Sequence, residues 1–142
     1  METILIVDDE ADVREMVRDV LEAKGYTVLE AGDGADALLV ARLYPEPIHL
    51  MLSDVLMPTM SGPELAEDLK AVRPDTKVVF MSGYTTDVMG KYGVLRSGAP
   101  FLGKPFSPDA LVRKLREVLD YRSPFAKRSA PAAILRPALA TA

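Results

Sequence analysis

The residues of this sequence that could do chemistry each follow or end a short apolar segment. They are an acidic pair, a single carboxylate, a hydroxyl and an ammonium, namely Asp8 with Asp9, Asp54, Ser82 and Lys104. Carboxylate oxygens are ligands for hard divalent cations, and hydroxyl and ammonium groups donate hydrogen bonds to phosphoryl oxygens. Together these groups suit a site for a divalent cation and a phosphoryl group.

The elements that must position these groups are predicted to alternate between strands and helices. Apolar runs predict strands at residues 4–7, 26–29, 77–81 and 99–102, and one that ends at Asp54. Apolar spacing predicts helices at 12–24, 34–43, about 62–72 and from 108 onwards. The residues predicted to cap the last three are Asp33, Ser61 with Glu64, and Ser107. The first helix is predicted to bury Val13, Met16, Val17, Val20 and Leu21.

Strands that are apolar throughout and separated by helices indicate an α/β fold with a parallel sheet covered on both sides. In such sheets ligands bind beyond the carboxyl ends of the strands. The acidic pair, the single carboxylate, the hydroxyl and the ammonium are all predicted at those ends. Topology and chemistry therefore indicate the same edge of the sheet.

Composition narrows the class of protein. The 142 residues suit one domain, and the absence of cysteine excludes disulfides and thiolate metal sites. The sequence shows no signal peptide and no apolar run long enough to cross a membrane. Residues 123–142 contain three basic and no acidic residues, which leaves a formal charge of −7 on residues 1–122. An acidic body argues against nucleic acid as a direct ligand.

These residues and their spacing resemble the receiver domain of bacterial two-component response regulators. The motifs are the Asp8–Asp9 pair, Asp54 followed by Met57–Pro58, Ser82 and Lys104–Pro105, with intervals of 28 and 22 residues between the last three groups. The resemblance covers about residues 2–121. Residues 81–84 and 101–106 are most similar to receivers at the C-termini of hybrid histidine kinases.

The resemblance implies a doubly wound, five-stranded parallel sheet of the flavodoxin-like three-layer type, with strand order 2-1-3-4-5. The receiver domain is expected at 1–122, followed by an Ala/Pro-rich tail at 123–142 that is expected to be disordered. No output domain and no kinase catalytic domain is expected in this length. The product is expected to be a stand-alone receiver or the C-terminal receiver of a hybrid kinase.

The resemblance also implies a phosphoacceptor site that binds Mg²⁺. Asp54 would accept a phosphoryl group from a histidine kinase or a histidine phosphotransfer protein. Three converging carboxylates repel one another, so either one of them would be protonated or a cation must neutralise them. The direct ligands would be Asp9, Asp54 and the backbone carbonyl of Leu56, with Asp8 acting through water.

The remaining groups are expected to bind the phosphoryl oxygens. Lys104 would bind one oxygen, and the Ser82 hydroxyl with the Val55 amide another, while the Lys104–Pro105 bond would be cis. The chain would assist its own phosphorylation and dephosphorylation without being an enzyme in its own right. It is expected in the cytoplasm, without membrane insertion.

Phosphorylation is expected to switch a partner-binding surface. Ser82 and Phe101 would be the switch residues, and a downstream protein would bind the face formed by the fourth helix, the fifth strand and the fifth helix. The glycines between Ser82 and Phe101 lower helix propensity there, which favours a mobile segment. Packing in the core is the alternative role for Phe101, and His49 is expected to be structural or solvated.

Three other functions compete with this interpretation. A phosphatase of the haloacid dehalogenase type would need an acid two residues after its nucleophile, where this sequence has Leu56. A flavodoxin-like cofactor binder would need a phosphate loop after the first strand, where Asp8 and Asp9 would repel phosphate. A degenerate receiver that only docks partners would not need the complete set of acidic residues and lysine.

Overall fold

Five parallel strands form the centre of the computed structural model, which describes residues 1–83 and 99–121. The strands are β1 (Thr3–Val7), β2 (Thr27–Ala31), β3 (Leu50–Asp54), β4 (Lys77–Ser82) and β5 (Phe101–Gly103). Their order is β2-β1-β3-β4-β5, and every pairing is parallel. The predicted strand order is confirmed, and β3 with its terminal Asp54 lies in the middle of the sheet.

The described residues also form four helices. They are α1 (Ala11–Ala23), α2 (Gly34–Leu43), α3 (Gly62–Val72) and α4 (Pro108–Asp120). The helix expected between Ser82 and Phe101 would fall within residues 84–98, outside the described part of the chain. The predicted partner-binding face counts that helix as the fourth. Its fifth helix is therefore the one named α4 here.

The predicted helix caps are all present. The Asp33 carboxylate accepts a hydrogen bond from the Asp36 amide, and the Ser107 hydroxyl accepts one from the Ala110 amide. Ser61 and Glu64 form the reciprocal capping box, in which each side chain accepts from the other residue's amide. Satisfying these first amides explains why the helices begin where they do.

Side chains on the two faces of the sheet enter two separate hydrophobic layers. On β1, alternation sends Ile4 and Ile6 to one face and Leu5 and Val7 to the other. The first layer packs against α1 and α4 through Val17, Leu21, Leu111 and Leu115. The second packs against α2 and α3 through Ala37, Leu38, Leu65 and Leu69. The three-layer architecture is thereby confirmed.

Three local predictions were wrong. The second strand begins at Thr27 and continues to Ala31, because β2 pairs with β1 along its whole length. The fifth strand begins at Phe101, since Pro100 before it has no amide hydrogen for the ladder. Met16 is exposed, because α1 buries the side that carries Val17 and Leu21.

Basic side chains tie α4 to the starts of the strands, at the end of the sheet away from the predicted site. The Arg116 guanidinium lies 2.7 Å from Glu2, which precedes β1, and 2.8 Å from Asp120 at the end of α4. The Lys77 ammonium donates to the carbonyls of Val118 and Tyr121 at 2.9 and 2.7 Å. These bonds hold the end of α4 against the starts of β1 and β4.

His49 has a structural contact at the same end. Its Nδ1 accepts a hydrogen bond of 2.9 Å from the Thr3 amide, which joins the beginnings of β1 and β3. This contact supports the structural interpretation of the histidine. In the two described ranges, no helix combines the length and the apolar character that crossing a bilayer requires.

Candidate functional site

The carboxyl ends of four strands bring the predicted chemical groups to one edge of the sheet. Asp8 follows β1, Asp54 is the last residue of β3, Ser82 is the last residue of β4, and Lys104 follows β5. The Lys104 amide donates a 2.9 Å hydrogen bond to the Ser82 carbonyl, so these two chain segments are adjacent. The parallel sheet thus assembles residues that are up to 96 positions apart in sequence.

Lys104 connects the two buried carboxylates. Its Nζ lies 2.8 Å from Asp8 Oδ2, 3.4 Å from Asp54 Oδ2 and 3.7 Å from Glu10 Oε1. Burial lowers the pKa of Lys104, but the hydrogen bond to Asp8 and the charges of Asp54 and Asp8 raise it overall. The side chain therefore carries a positive charge although most of its surface is buried. The Lys104–Pro105 bond is cis, as expected.

Asp8 is completely buried, and its polar atoms are engaged. Oδ1 accepts a 2.8 Å hydrogen bond from the Glu10 amide, and Oδ2 accepts from Lys104 at 2.8 Å. The main-chain carbonyl accepts from the Arg14 guanidinium at 2.5 Å, and the main-chain amide donates to Ala31. Both carboxylate oxygens therefore already accept hydrogen bonds, and Asp8 holds the Glu10 amide and the Lys104 ammonium in position.

Asp54 has one carboxylate oxygen without a hydrogen-bond partner. Its residue surface is 5% exposed, and Oδ1 has no partner in the described structure, whereas Oδ2 lies near Lys104. Burial raises the pKa of Asp54 to about 6, and the Asp8 charge adds to the increase while Lys104 opposes it. A buried acceptor without a donor costs about 1–3 kcal/mol, which a ligand with positive charge would relieve.

The carboxylates of Asp8, Asp9 and Asp54 lie close enough to share one cation. One oxygen from each lies within 4.8 Å of the others. Asp9 is exposed, unlike its two neighbours, so the group opens to solvent on one side. The oxygen-only donor set and the unpartnered Asp54 Oδ1 fit a hard divalent cation such as Mg²⁺.

A cleft of about 330 Å³ lies over this group. Its lining includes Asp9, Glu10, Asp54, Leu56, Gly83 and Lys104. The cleft places Leu56 next to the carboxylates, as the predicted ligand set requires. It has room for an ion together with a phosphoryl group, and its walls contain both acidic groups and an ammonium.

Sequence reasoning missed Gly62, which is essential to the shape of the site. A Cβ atom at this position would lie 2.3 Å from the Asp54 carbonyl oxygen, and the Gly62 amide donates to the Val55 carbonyl at 2.8 Å. Only a residue without a side chain lets α3 begin this close to the end of β3. The sequence contains no signal for this requirement beyond the glycine itself.

Glu10 and Arg14 were also missed as parts of the site. Glu10 supplies an amide to Asp8 and a carboxylate near Lys104, and Arg14 donates to the Asp8 carbonyl. The sequence signal for Glu10 was its place in the acidic cluster after β1. Arg14 had a weaker signal, its position one helical turn after Glu10.

Two further expectations concern Val55 and Phe101. The Val55 amide donates to the Met81 carbonyl at 3.0 Å, because the β3–β4 ladder continues past Asp54, and it also lies close enough to the Asp54 carboxylate to lower the pKa of that group. Its binding of a phosphoryl oxygen stays a prediction. Phe101 is 36% exposed and pairs on β5 with the buried Phe80. The core-packing role for Phe101 is therefore wrong, while Ser82 is buried at the edge of the site.

The family of the chain follows from comparison with known sequences. The family model for the response regulator receiver domain matches residues 4–116, and the chain belongs to this family. It is a receiver domain of two-component phosphorelay signalling. The alternatives of a dehalogenase-type phosphatase and a flavodoxin-like cofactor binder are thereby excluded.

Two proteins of Brucella abortus illustrate the contexts in which similar sequences occur. The chain is 37% identical over 118 residues to the sensor kinase CckA, covering 83% of this chain but 12% of that protein. It is 34% identical over 119 residues to the response regulator receiver protein CpdR, covering 84% of this chain and 98% of that protein. Similar sequences thus occur both within a long kinase and nearly alone.

Solved structures agree with the fold. The receiver domain of the hybrid histidine kinase CckA has a TM-score of 0.70 and 36% identity, with coverage of 83% of this chain and 99% of that one. The chemotaxis protein CheY4 of Vibrio cholerae has a TM-score of 0.74 and 31% identity, with coverage of 83% and 98%. The doubly wound receiver fold predicted from sequence is confirmed.

Proposed function

We propose that Asp54 is the phosphoacceptor of this receiver and that its phosphodonor is a phosphohistidine on a histidine kinase or a phosphotransfer protein. The observation that carries the proposal is the buried, unpartnered Oδ1 of Asp54 at the end of the central strand. The adjacent acidic group and the Lys104 ammonium supply what a phosphoryl group needs there. No other described carboxylate combines these properties.

The transfer is an in-line displacement at phosphorus. A carboxylate oxygen of Asp54 forms the new P–O bond as the P–N bond breaks, and the electron pair of that bond returns to the imidazole nitrogen of the donor. Negative charge on the three remaining phosphoryl oxygens must be stabilised. Lys104 is close enough to Asp54 to bind one of these oxygens, and the Ser82 hydroxyl at the end of β4 binds another.

The acidic group would hold Mg²⁺ in this proposal. Asp9, Asp54 and the Leu56 carbonyl would be the direct protein ligands, and Asp8 would act through water because its carboxylate oxygens already accept from Glu10 and Lys104. A bound ion would supply positive charge that stabilises the clustered carboxylates and the transferring phosphoryl group. The chain residues position the acceptor and assist phosphorylation and later hydrolysis, but they contain no kinase catalytic machinery of their own.

The signalling output follows from a change of surface. Ser82 bonds the phosphorylated acceptor, a charge-assisted interaction that is stronger than a neutral one. We expect this bond to change the position of Phe101 and the face formed by β5, α4 and the helix expected within 84–98, which lies outside the described residues. A downstream protein in the cytoplasm binds that face. Residues 1–122 form the receiver in this proposal, with 123–142 as a tail.

The test of the acceptor uses a small phosphodonor with Mg²⁺ and intact-protein mass spectrometry. The wild-type chain is expected to gain one base-labile phosphoryl group, and Asp54→Asn is expected to gain none. The matched control is Asp68→Asn, which changes an exposed carboxylate on α3. Equal labelling of Asp54→Asn and the wild type would show that another residue is the acceptor, and an unlabelled wild type would favour a docking-only receiver.

The switch is tested separately by amide hydrogen exchange with and without beryllium fluoride. Protection is expected both near Asp54 and across residues 82–101. Protection confined to the neighbourhood of Asp54 would contradict the switch and leave the acceptor assignment intact. Ser82→Ala should retain the first effect and lose the second, because the hydroxyl is the proposed connection.

A further inference from the structure

Helix α2 is apolar on its outer face as well as on its inner one. Ala37, Leu38 and Ala41 pack in the hydrophobic layer beneath it, yet Leu39 is 51% exposed and Leu43 is 71% exposed. With the exposed Ala35, these leucines recur every four residues and form one stripe, called here the α2 stripe (Ala35, Leu39, Leu43). An apolar outer face on a surface helix indicates a contact with another molecule.

Two opposite charges flank the α2 stripe. At 100° per residue, Asp36 lies about 60° to one side of Leu39 and Arg42 about 60° to the other. Both side chains are exposed, and neither has an ion-pair partner within the described ranges. The helix thus presents an apolar centre with an acidic flank and a basic flank.

We propose that the α2 stripe is a self-association surface whose occupant is the α2 helix of a second copy of this chain. The two helices lie parallel about a twofold axis that runs along them. Leu39 and Leu43 then contact their own counterparts. The same symmetry places Asp36 on the side of Arg42 of the partner subunit, and this pairing occurs twice.

The charge pattern selects the parallel arrangement. An antiparallel pair centred on Leu39 would place Asp36 on the same side as Asp36 of the partner subunit, and likewise the two arginines, so like charges would meet. In the parallel pair, Asp36 and Arg42 of the partner subunit are six residues apart, about 9 Å along the axis. Because helical side chains lean towards the N-terminus, the long Arg42 side chain shortens this separation.

The size of the α2 stripe indicates a weak dimer. Stable interfaces bury roughly 800 Å² per partner, and two leucines with an alanine form only the centre of such a contact. The chain is therefore a monomer when dilute and a dimer when concentrated. This surface lies on the opposite side of the sheet from α1 and α4, and the proposal does not depend on the role of Asp54.

The first test is sedimentation of the full chain from micromolar to millimolar concentration. The wild type is expected to shift from monomer to dimer, and Leu39→Glu and Leu43→Glu to weaken the dimer by at least about tenfold, since each buries a charge. Arg113→Glu on α4 is the control for an added carboxylate and should behave as the wild type. A wild type that remains monomeric at every concentration would overturn the proposal. The same conclusion would hold if residues 122–142 were found to cover the α2 stripe.

Charge reversal tests the proposed pairing. Asp36→Arg and Arg42→Asp should each weaken the dimer, and the double variant should restore it, because the two charges meet only between subunits. Circular dichroism melting of each variant checks that the fold is retained. Failure of the double variant to recover, with its fold intact, would overturn the pairing and with it the parallel arrangement.

Disulfide trapping tests the geometry, because the chain has no cysteine of its own. In the parallel dimer, positions 39 and 43 both meet their own counterparts, so Leu39→Cys and Leu43→Cys should each cross-link under mild oxidation. In the antiparallel alternative, the two positions 43 would be about 12 Å apart along the axis and only Leu39→Cys would cross-link. Arg113→Cys is the exposed control, and cross-linking at an equal rate there would contradict a specific interface.

Discussion

Lys104 and Asp8 form a 2.8 Å ion pair that joins the ends of β5 and β1, although β3 and β4 lie between these strands in the sheet. The pair therefore passes over the end of β3, where Asp54 lies 3.4 Å from the same ammonium. The single ammonium of Lys104 thus interacts with two buried carboxylates. The arrangement leaves the Asp54 Oδ1 without a partner in the described structure, and this is the atom that makes the site ready for a ligand.

Replacing Lys104 by methionine should separate its two roles. The change keeps the length of the side chain but removes the ammonium, so the pKa of Asp54 should increase and phosphorylation by a small phosphodonor should slow by about 10²–10³-fold. Loss of one partner from a buried ion pair should also destabilise the fold by about 3 kcal/mol. Lys70→Met, at an exposed ion pair on α3, is the control. An unchanged initial rate of labelling would contradict the role of Lys104.

Asp9→Ala should abolish Mg²⁺ binding and leave the fold intact. Loss of outer-shell partners already weakens metal binding 10–100-fold, so loss of a direct ligand should exceed about 100-fold in a calorimetric titration. The metal-free variant should melt at a slightly higher temperature than the wild type, because one of three repelling carboxylates is gone. The exposed Asp68→Ala is the control. A lower melting temperature in a chelator would refute the repulsion argument, and retained Mg²⁺ affinity would refute the ligand assignment.

Gly62→Ala should damage the site without removing any polar group. The added Cβ would lie 2.3 Å from the Asp54 carbonyl oxygen, so the start of α3 or the end of β3 must move. We expect a loss of about 1–3 kcal/mol in the free energy of unfolding, together with weaker Mg²⁺ binding. Ala66→Gly, in the middle of the same helix, controls for a general loss of helix stability. Mg²⁺ affinity that survives a measured destabilisation would mean that the position of Asp54 tolerates this shift.

The raised pKa of Asp54 predicts a pH dependence of stability in a chelator. The pKa is about 6 in the folded chain, above its usual value, so the folded state disfavours the charged form. The contribution of Asp54 to the free energy of unfolding is then most favourable below about pH 4 and is lost as the pH rises through about 6. Asp54→Asn lacks this loss. Its free energy of unfolding should therefore increase relative to that of the wild type as the pH rises, by up to about 3 kcal/mol above pH 7.

Urea unfolding of both proteins at several pH values between 4 and 8, without metal, measures this difference. Asp68→Asn, which changes an exposed carboxylate on α3, is the control variant. A difference between Asp54→Asn and the wild type that stays constant across the range would mean that Asp54 has an ordinary pKa in the folded chain.

Much of this structure was predictable because its signals are local. The apolar runs before Asp8, Asp54 and Lys104 determine the strands, and Asp33 and Ser61 determine where two helices begin. Parallel strands must end at one edge, so convergence of the polar groups followed from the order of the elements. Boundaries such as that of β5 were less accurate, because pairing with the neighbouring strand decides them.

The rest depended on contacts between distant parts of the chain. The close approach of Gly62 to Asp54, the bond from Arg14 to the Asp8 carbonyl and the engagement of the Val55 amide by Met81 are set by packing of elements against one another. A glycine or an arginine can occur in a sequence for many structural reasons, so the residue type alone does not predict these contacts. The exposure of Phe101 was left open, although the predicted strand order already placed β5 at the edge of the sheet.

The bond between Glu2 and Arg116 has a consequence for how such a unit can be combined with others. Entry into β1 and exit from α4 lie side by side, about 17 Å from the acidic edge, the length of a five-residue strand. A module with adjacent entry and exit can be appended to a longer polypeptide, or inserted within one, without obstructing its reactive edge. The same architecture is thus suited to work alone or as one part of a composite protein.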